Sequence, residues 1–376
     1  MQFRDLRRQY EALKPAIDSA LHETVLSSAF IMGQPVKRLE EALAEYVGVK
    51  HCITCASGTD ALDIALKVWK IGPGDAVFVP DFTFFASAEV VALEGAEPVF
   101  VDIDPDTFNM DASSLEAAVE AVLREGRLTP RAVIAVDLFG LPADYRAIRP
   151  LAQKYGLYLL EDAAQGFGGR LQGRRACSFG DIGATSFFPA KPLGCYGDGG
   201  AIFTDNDEWA AVADSIRVHG KGSFKYDNVR IGLNSRLDTL QAAVLLPKFD
   251  AFKRYELEQV NRCAAAYQAR LADLLKTPDV PQGFFSSWAQ YTVQLTDRTV
   301  RDRLQAALKE KQIPSMVYYP KPMHLQTAFQ SLLPGVLPCP VAERLCETVL
   351  SLPMHPYLTI EEIDEVCDVV RQTLAR

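Results

Sequence analysis

Short apolar runs alternate with amphipathic stretches over roughly the first two-thirds of the chain. The apolar runs are rich in β-branched and aromatic residues, and Gly, Pro or Asp bounds most of them, as is typical of strands. Strands are predicted at His51–Ala56, Ala76–Pro80, Pro98–Ile103, Ala132–Leu138 and Tyr158–Asp162. Helices are predicted between them, at Asp60–Val68, Ala86–Leu93, Ser113–Leu123 and Tyr145–Tyr155. This alternation indicates parallel βαβ units, with helices on both faces of one sheet.

The pattern changes after the last of these strands. Strands at Ala184–Phe188 and Ala201–Thr204 are predicted around a glycine-rich turn, a helix follows at Glu208–Val218, and helical periodicity then runs from Asp238 to about Leu275. A smaller α+β unit is predicted beyond it, with strands at Tyr291–Leu295 and Ser315–Tyr319 and helices at Val300–Lys309, Ala342–Leu350 and Ile360–Arg376. We therefore expect an N-terminal segment at 1–14, a large α/β domain at 15–245 and a small domain at 246–376.

Composition and charge narrow the classes of function. The chain has 376 residues, and its 39 basic and 48 acidic side chains give a net charge of −9. Such an acidic protein is not expected to bind nucleic acid nonspecifically, nor an anionic membrane surface. No apolar run approaches the ~20 residues of a spanning helix, and the first residues lack a signal-peptide core. With eight scattered cysteines, the chain is expected to be a cytoplasmic, thiol-containing protein.

Lys191 is the first candidate for chemistry, because it follows a predicted strand and four glycines lie within the nine residues after it. Glycines let a backbone approach a ligand closely. A lysine held in low-dielectric surroundings has a lowered pKa, which makes its amine a nucleophile. The alternative is a solvated lysine in a glycine turn.

Glu161 and Asp162 end an apolar strand, and Gln165 follows them closely. In open α/β sheets, ligands bind at the carboxyl ends of the strands. A carboxylate there can keep the nitrogen of a pyridine ring protonated, which makes a pyridoxal ring an electron sink. An aspartate that caps a helix is the alternative.

The turn from Ser57 to Asp60 joins a predicted strand to a predicted helix. Gly58 and Thr59 would present free amide groups at the helix N-terminus, which suits a phosphate. The spacing is neither that of a Walker loop nor that of a dinucleotide fingerprint, and a plain capped turn is the alternative. Just upstream, Cys52 and Cys55 have no second pair at metal spacing, so we expect core residues and no metal site.

Two further features could contribute to a site. The stretch from 217 to 236 has a net charge of about +4, which would attract an anionic ligand, although a solvated loop has the same composition. Its basic residues are Arg217, Lys221, Lys225, Arg230 and Arg236. Phe84 follows another predicted strand end, where its ring could stack on a flat ligand or belong to the core.

These candidates form one set. A phosphate-binding turn, a ring stacker, an acid for a ring nitrogen and a nucleophilic lysine occur in that chain order, each after a predicted strand. Because the carboxyl ends of parallel strands meet at one edge of a sheet, we expect them to converge there.

Family motifs extend over nearly the whole chain. They are Phe3–Leu6, Phe30–Gly33, Ser57–Thr59, Glu161–Gln165, Ser186–Lys191, Asn234–Ala243, Tyr318–Pro320 and Ser351–Pro356. With them the chain resembles the pyridoxal-phosphate-dependent nucleotide-sugar aminotransferases of the DegT/DnrJ/EryC/StrS family. The resemblance implies an α/β fold of fold type I, with a mostly parallel central sheet flanked by helices and a smaller C-terminal α+β domain. The segments Lys191–Thr204 and Asn234–Leu246 are most similar to enzymes that aminate C3 of UDP-2-acetamido-2-deoxy-3-oxo-glucuronate in O-antigen synthesis.

The resemblance also implies roles for individual residues. Lys191 would bond the cofactor aldehyde and Asp162 would pair with its pyridine nitrogen. The other cofactor-binding residues would be Gly58, Thr59 and Ser186 at the phosphate, Phe84 on the ring face, Gln165 near the ring hydroxyl, and Asn234 from the partner subunit of a homodimer with shared active sites. Arg236 would bind a carboxylate of the substrate or of the amino donor, and Tyr319 would bind substrate.

The activity implied is transfer of an amino group from L-glutamate to a keto group of a nucleotide-linked sugar. Because the family's dehydratases carry histidine in place of the lysine, Lys191 favours transamination. Alternatives are a transaminase for 4-keto-6-deoxy nucleotide sugars and a non-catalytic regulator that binds pyridoxal phosphate. No role is assigned to His219, His324 or His355.

Overall fold

The computed structural model describes residues 1–224, 226–330 and 337–375, so that Lys225 and Arg376 lie outside the described residues. Its helices are α1 Leu6–Ser27, α2 Gln34–Val47, α3 Gly58–Val68, α4 Ala86–Leu93, α5 Ala112–Glu125, α6 Tyr145–Tyr155, α7 Asp207–Ile216, α8 Thr239–Ala251, α9 Leu257–Leu271, α10 Arg298–Glu310, α11 Pro340–Thr348 and α12 Ile360–Leu374. Its strands are β1 His51–Cys55, β2 Asp75–Pro80, β3 Glu97–Val101, β4 Thr129–Val136, β5 Tyr158–Asp162, β6 Arg170–Leu171, β7 Arg174–Arg175, β8 Ile182–Ser186, β9 Gly200–Thr204, β10 Phe284–Phe285, β11 Tyr291–Gln294 and β12 Val349–Leu352. Within these ranges, no helix has both the length and the apolar character needed to cross a bilayer.

A seven-stranded sheet in the order β1-β9-β8-β5-β4-β2-β3 forms the centre of the molecule. Strands β3, β2, β4, β5 and β8 pair in parallel, whereas β9 runs antiparallel to both of its neighbours. The expected α/β fold with a mostly parallel sheet is therefore confirmed. Because β5 and β8 are parallel neighbours, their last residues, Asp162 and Ser186, lie at the same edge of the sheet.

Both faces of the sheet are buried, as expected for parallel strands covered by helices. Along β4, Val133 and Ala135 face a core that α2, α5, α6 and α8 help to form. The alternate residues Ile134 and Val136 face a second core, built with α3, α4, α7 and α11. Because successive side chains of a strand point to opposite faces of the sheet, β4 contributes side chains to both cores.

The C-terminal part contains a second, smaller sheet. Strands β11 and β12 pair antiparallel, with Tyr291 opposite Leu352, and pack against α9, α10 and α12. Helix α12 starts in a capping box made by Thr359 and Glu362. The predicted domain boundaries at residues 14 and 245 both fall within helices, α1 and α8, and the division into domains stays a prediction.

Several predicted elements were wrong. The strand predicted at Ser315–Tyr319 is not formed, and only an isolated bridge joins Met316 to Ser351. The helix predicted to reach Leu350 ends at Thr348, since the chain enters β12 at Val349 to pair with β11. Burial in the small core outweighs helical periodicity here. Helices α1 and α2 were not predicted, although α1 packs its apolar residues against α8.

Arg217 differs from the role expected of the basic stretch. It is buried, and its guanidinium lies 2.6 Å from a Glu40 carboxylate oxygen and 2.5 Å from one of Asp214. It also donates to the Thr54 carbonyl at 2.6 Å. Its charge is therefore neutralised inside the protein and is not available to an anionic ligand. The pairs anchor the stretch that follows α7 to α2 and β1.

Replacing Glu40 by Ala is expected to lower the free energy of unfolding by about 2 to 3 kcal/mol, because the buried Arg217 loses a charged partner. Glu41→Ala is the matched control, since Glu41 is exposed and lies 3.9 Å from Lys37, and a shift within about 0.5 kcal/mol is expected there. Denaturant unfolding measures both. Equal shifts for the two variants would contradict the assigned importance of the Arg217 pair.

Candidate active site

Asp162 ends β5 as a buried carboxylate. One of its oxygens accepts a hydrogen bond from the Ser87 hydroxyl at 2.7 Å and the other accepts from the Ala164 amide at 3.1 Å. Burial raises the pKa of Asp162, while these hydrogen bonds and the positive charge of Lys191 act in the opposite direction. A cationic partner would favour its charged form.

Lys191 lies in the turn after β8, where its amide donates to the Phe188 carbonyl at 2.8 Å. Burial lowers the pKa of its amine below the usual 10.5, an effect that the nearby charge of Asp162 opposes. A larger neutral fraction than that of a solvated lysine is therefore present at a given pH, and the neutral amine is the nucleophile. The structure brings the predicted acid and the predicted lysine together.

Gln165 and Tyr319 form the next part of the site. The Gln165 side-chain oxygen accepts from the Phe139 amide at 2.8 Å, and its nitrogen donates to the Tyr319 hydroxyl at 2.9 Å. The Tyr319 ring centroid lies 6.4 Å from that of Phe84 and 5.9 Å from that of Phe82. Phe84 is 54% exposed, so its ring can contact a ligand, whereas Phe82 is in the core.

The turn before α3 meets the end of β8. Ser57 caps the helix, because its hydroxyl accepts from the Asp60 amide at 3.0 Å. The amides of Gly58 and Thr59 lie in the first turn of α3, where no earlier helical carbonyl is in place to accept their hydrogen bonds. A Cβ on Gly58 would lie 2.5 Å from the Cβ of Ser186, so only glycine permits this approach. Gly200, at the start of β9, is equally close, because a Cβ there would lie 2.3 Å from the Ser57 carbonyl oxygen.

Asn234 and Arg236 flank a residue that is fixed to the same turn. The hydroxyl of Ser235 donates to a carboxylate oxygen of Asp60 at 2.5 Å and accepts from the Ala56 amide at 3.0 Å. Asn234 is exposed and accepts from the half-buried Arg236 guanidinium at 2.5 Å. The action of Asn234 on a partner subunit stays a prediction.

Sequence reasoning missed an Asp81–His324 pair. Asp81 follows β2 and is fully buried, and its oxygens lie 2.8 Å from the His324 amide and 2.6 Å from His324 Nδ1. The pair fixes the segment after Tyr319 to the end of β2, next to Phe84. The signal was present, because Asp81 follows an apolar strand as Asp162 does, but its partner lies far along the chain.

The other two histidines to which the sequence assigned no role, His219 and His355, lie outside this group. His355 is buried with an unpartnered Nδ1, and burial lowers its pKa to about 4. His219 occupies a turn with a positive φ of 58°. Ser87, also missed, is the second residue of α4 and is identified only by its contact with Asp162.

The donor groups match the parts of pyridoxal phosphate. Helix amides and the Ser186 hydroxyl suit a phosphate, the exposed Phe84 ring suits a flat heterocycle, and the buried Asp162 carboxylate suits a pyridinium nitrogen. The Lys191 amine suits the aldehyde. The close approach of Gly58 to Ser186 supports this fit, since it joins the helix amides and the hydroxyl into one cradle.

The model of the DegT/DnrJ/EryC1/StrS aminotransferase family matches residues 11–371. The chain belongs to this family. It is therefore a transaminase, and pyridoxal 5′-phosphate is the cofactor that the family uses.

Individual relatives cover nearly the whole length. The chain is 44% identical to the UDP-2-acetamido-2-deoxy-3-oxo-D-glucuronate aminotransferase of Pseudomonas aeruginosa, over 98% of each chain. It is also 44% identical to a pleiotropic regulatory protein of Geobacillus stearothermophilus, over 98% of this chain and 97% of the relative. The crystal structure of a family aminotransferase from Brucella abortus has a TM-score of 0.96 at 50% identity and covers 100% of both chains. NtdA from Bacillus subtilis, solved with bound pyridoxamine phosphate, has a TM-score of 0.89 at 28% identity over 100% of this chain and 85% of its own.

Gly58→Ala is expected to weaken binding of pyridoxal phosphate to the cofactor-free protein about tenfold, because the added Cβ displaces the helix amides from Ser186. Absorbance titration of the cofactor-free protein measures this affinity. The control is Gly72→Ala, whose Cβ would meet only the Glu94 carbonyl oxygen at 3.8 Å. Unchanged affinity in Gly58→Ala would exclude the turn as the phosphate site.

Proposed function

We propose that this family member moves the amino group of L-glutamate to C3 of UDP-2-acetamido-2-deoxy-3-oxo-glucuronate. The observation that carries the proposal is that the buried Asp162 carboxylate and the half-buried Lys191 lie at one edge of the sheet, close enough for the charge of each to affect the pKa of the other. The name of the 44% identical Pseudomonas aeruginosa relative supports the choice of sugar. In this proposal the enzyme acts in the cytoplasm, as a homodimer with shared active sites, in the synthesis of a surface polysaccharide such as O-antigen.

The site residues divide the task of holding the cofactor. Gly58, Thr59 and Ser186 would bind its phosphate, Phe84 would stack on its ring, and Lys191 would bond its aldehyde carbon. When bound, the cofactor supplies a conjugated ring that takes up the negative charge left on the donor carbon. Asp162 favours this by keeping the ring nitrogen protonated, and Ser87 and the Ala164 amide orient the carboxylate.

Lys191 would also carry the proton. With the cofactor bound, Lys191 Nζ would lie beside the Cα of the amino-acid donor. Burial lowers the pKa of this amine, so a larger fraction of it is neutral and would accept the Cα proton and later give it back. The protein thus supplies one mobile base in a fixed position.

Tyr319 and Arg236 would bind substrate. The Tyr319 hydroxyl accepts from Gln165, so its own hydrogen is free to be donated to a substrate oxygen. Arg236 is half-buried and bound to the Asn234 side chain, and its planar guanidinium suits the carboxylate of a glucuronate. This pairing favours a sugar acid over a neutral 6-deoxy sugar.

A non-catalytic regulator was the alternative that the sequence left open, and membership of an aminotransferase family disfavours it. The Geobacillus stearothermophilus relative, also 44% identical, is named a pleiotropic regulatory protein. A regulator of this kind would bind the cofactor at the same residues without turning over glutamate. The first experiment below separates the two candidates.

Purified protein loaded with pyridoxal phosphate should lose its visible absorbance on addition of L-glutamate and form 2-oxoglutarate without any sugar. Lys191→Ala should abolish both signals, because the covalent bond and the proton carrier are lost. Borohydride reduction of the wild type should attach the cofactor to the peptide that contains residue 191. Lys37→Ala, at an exposed lysine, is the control.

Attachment of the cofactor to another lysine would overturn the site. Cofactor binding at 191 without any response to glutamate would favour the regulator.

The substrate is tested with three ketones: the UDP-linked 3-keto-glucuronate, the same sugar without the carboxylate, and a dTDP-4-keto-6-deoxy sugar. We expect amination at C3 of the first, identified by NMR of the product. Arg236→Gln should raise KM for the sugar acid about tenfold or more and change KM for the neutral 3-keto sugar little, since the lost contact is to a carboxylate. Amination of the 4-keto sugar alone would contradict the proposed position.

A further inference from the structure

The N-terminal segment before α1 holds Arg4 between the turn that carries Lys191 and the sheet formed by β11 and β12. The Phe3 carbonyl accepts from the Met354 amide at 3.2 Å, next to the end of β12, and the Phe3 ring packs edge-on against Tyr318 at 6.1 Å. On the other side of Arg4, Asp5 caps α1 by accepting from the Arg8 amide at 2.9 Å. The residues on both sides of Arg4 are therefore fixed, and its side chain has a defined origin.

Arg4 reaches the residue directly after the lysine. Its Nη2 donates to the Pro192 carbonyl at 3.2 Å. Within the described part of the chain, this is the one hydrogen bond that its guanidinium makes, and no carboxylate lies within 4 Å of it. The remaining guanidinium nitrogens are not sealed in the interior, since none is among the buried side-chain atoms without a partner.

Two other arginines of this chain are directly paired with acids. Arg8 binds both carboxylate oxygens of Glu362 at 2.8 Å, and Arg217 is paired with Glu40 and Asp214. Arg4, although half-buried, has no such partner. Burial lowers the pKa of Arg4 to about 10, an effect that the charge of the buried Glu256 opposes, so the guanidinium is still protonated at neutral pH. A protonated guanidinium in a partly desolvated position, with no carboxylate within 4 Å, can bind an anion.

The proximity of Arg4 to Lys191 limits which anion it can bind. An amino acid whose Cα proton is taken by Lys191 Nζ must bring its carboxylates within a few ångströms of that nitrogen. We propose that Arg4 binds a carboxylate of the amino-acid donor. This inference rests on the proposed transamination and adds a donor-binding residue to it. Arg4 would then bind the donor, and Arg236 would bind the sugar.

The test compares Arg4→Gln with Arg7→Gln, because Arg7 is an exposed arginine of the same chain end, with 88% of its side chain accessible. In Arg4→Gln we expect KM for L-glutamate in the first half-reaction to rise about 10- to 100-fold. The Kd of glutarate, a dicarboxylate without an amine, should rise in parallel, measured by calorimetry on the cofactor-loaded protein. KM for the keto sugar in the second half-reaction should change less than threefold. Arg7→Gln should leave all three constants unchanged.

The variant Arg4→Lys tests whether Arg4 has only a structural role. It keeps the charge and can still donate to Pro192, so a smaller rise in both donor constants, between wild type and Arg4→Gln, is expected. Equal changes in the donor and sugar half-reactions would show that Arg4 only positions the lysine turn, and unchanged glutarate binding in both variants would overturn the proposal. If instead wild-type protein fails to convert glutamate while glutarate still binds through Arg4, the proposed function fails and the donor site stands.

Discussion

The attraction between Asp162 and Lys191 across the edge of the sheet is the interaction on which the site depends. The fold buries the Asp162 carboxylate and half-buries Lys191, and the charge of each partly offsets the cost of moving the other out of water. The parallel pairing of β5 with β8 makes this possible, since it ends both strands on one side. Three further features are arranged around these two charges: the turn before α3, the Phe84 ring and the Gln165–Tyr319 pair.

Much of this arrangement could be predicted from the sequence. Buried parallel strands are marked by continuous apolar runs, and the residue that follows each run is placed by topology alone. Asp162 and Lys191 could therefore be assigned to one edge without any contact being known. The family resemblance then assigned their chemistry, which spacing by itself left open between a reactive and a solvated lysine.

The remainder depends on contacts between distant parts of the chain. Neither the pairing of Asp81 with His324 nor that of Ser87 with Asp162 leaves a local pattern, because nothing in the sequence near one residue indicates the other. The strand β12 was mistaken for the end of a helix for the same reason, since its pairing with β11 decides its conformation. The interpretation of Arg217 as a surface charge was wrong because a charge count does not show which basic residue is buried.

The antiparallel return of β9 has a consequence for the evolution and engineering of this enzyme. The chain leaves the sheet at Ser186, the last residue of β8, passes through Lys191 and returns at Gly200, the first residue of β9. Both ends of this loop contact the turn before α3. The segment between them is a closed loop whose contour sets how far the Lys191 amine stands from the turn before α3. Its exposed side chains, such as Phe188 and Tyr196, can vary without altering that span, whereas a single insertion or deletion alters it directly. Loop length is therefore the property that diversification of new amino-sugar enzymes from this scaffold has to conserve.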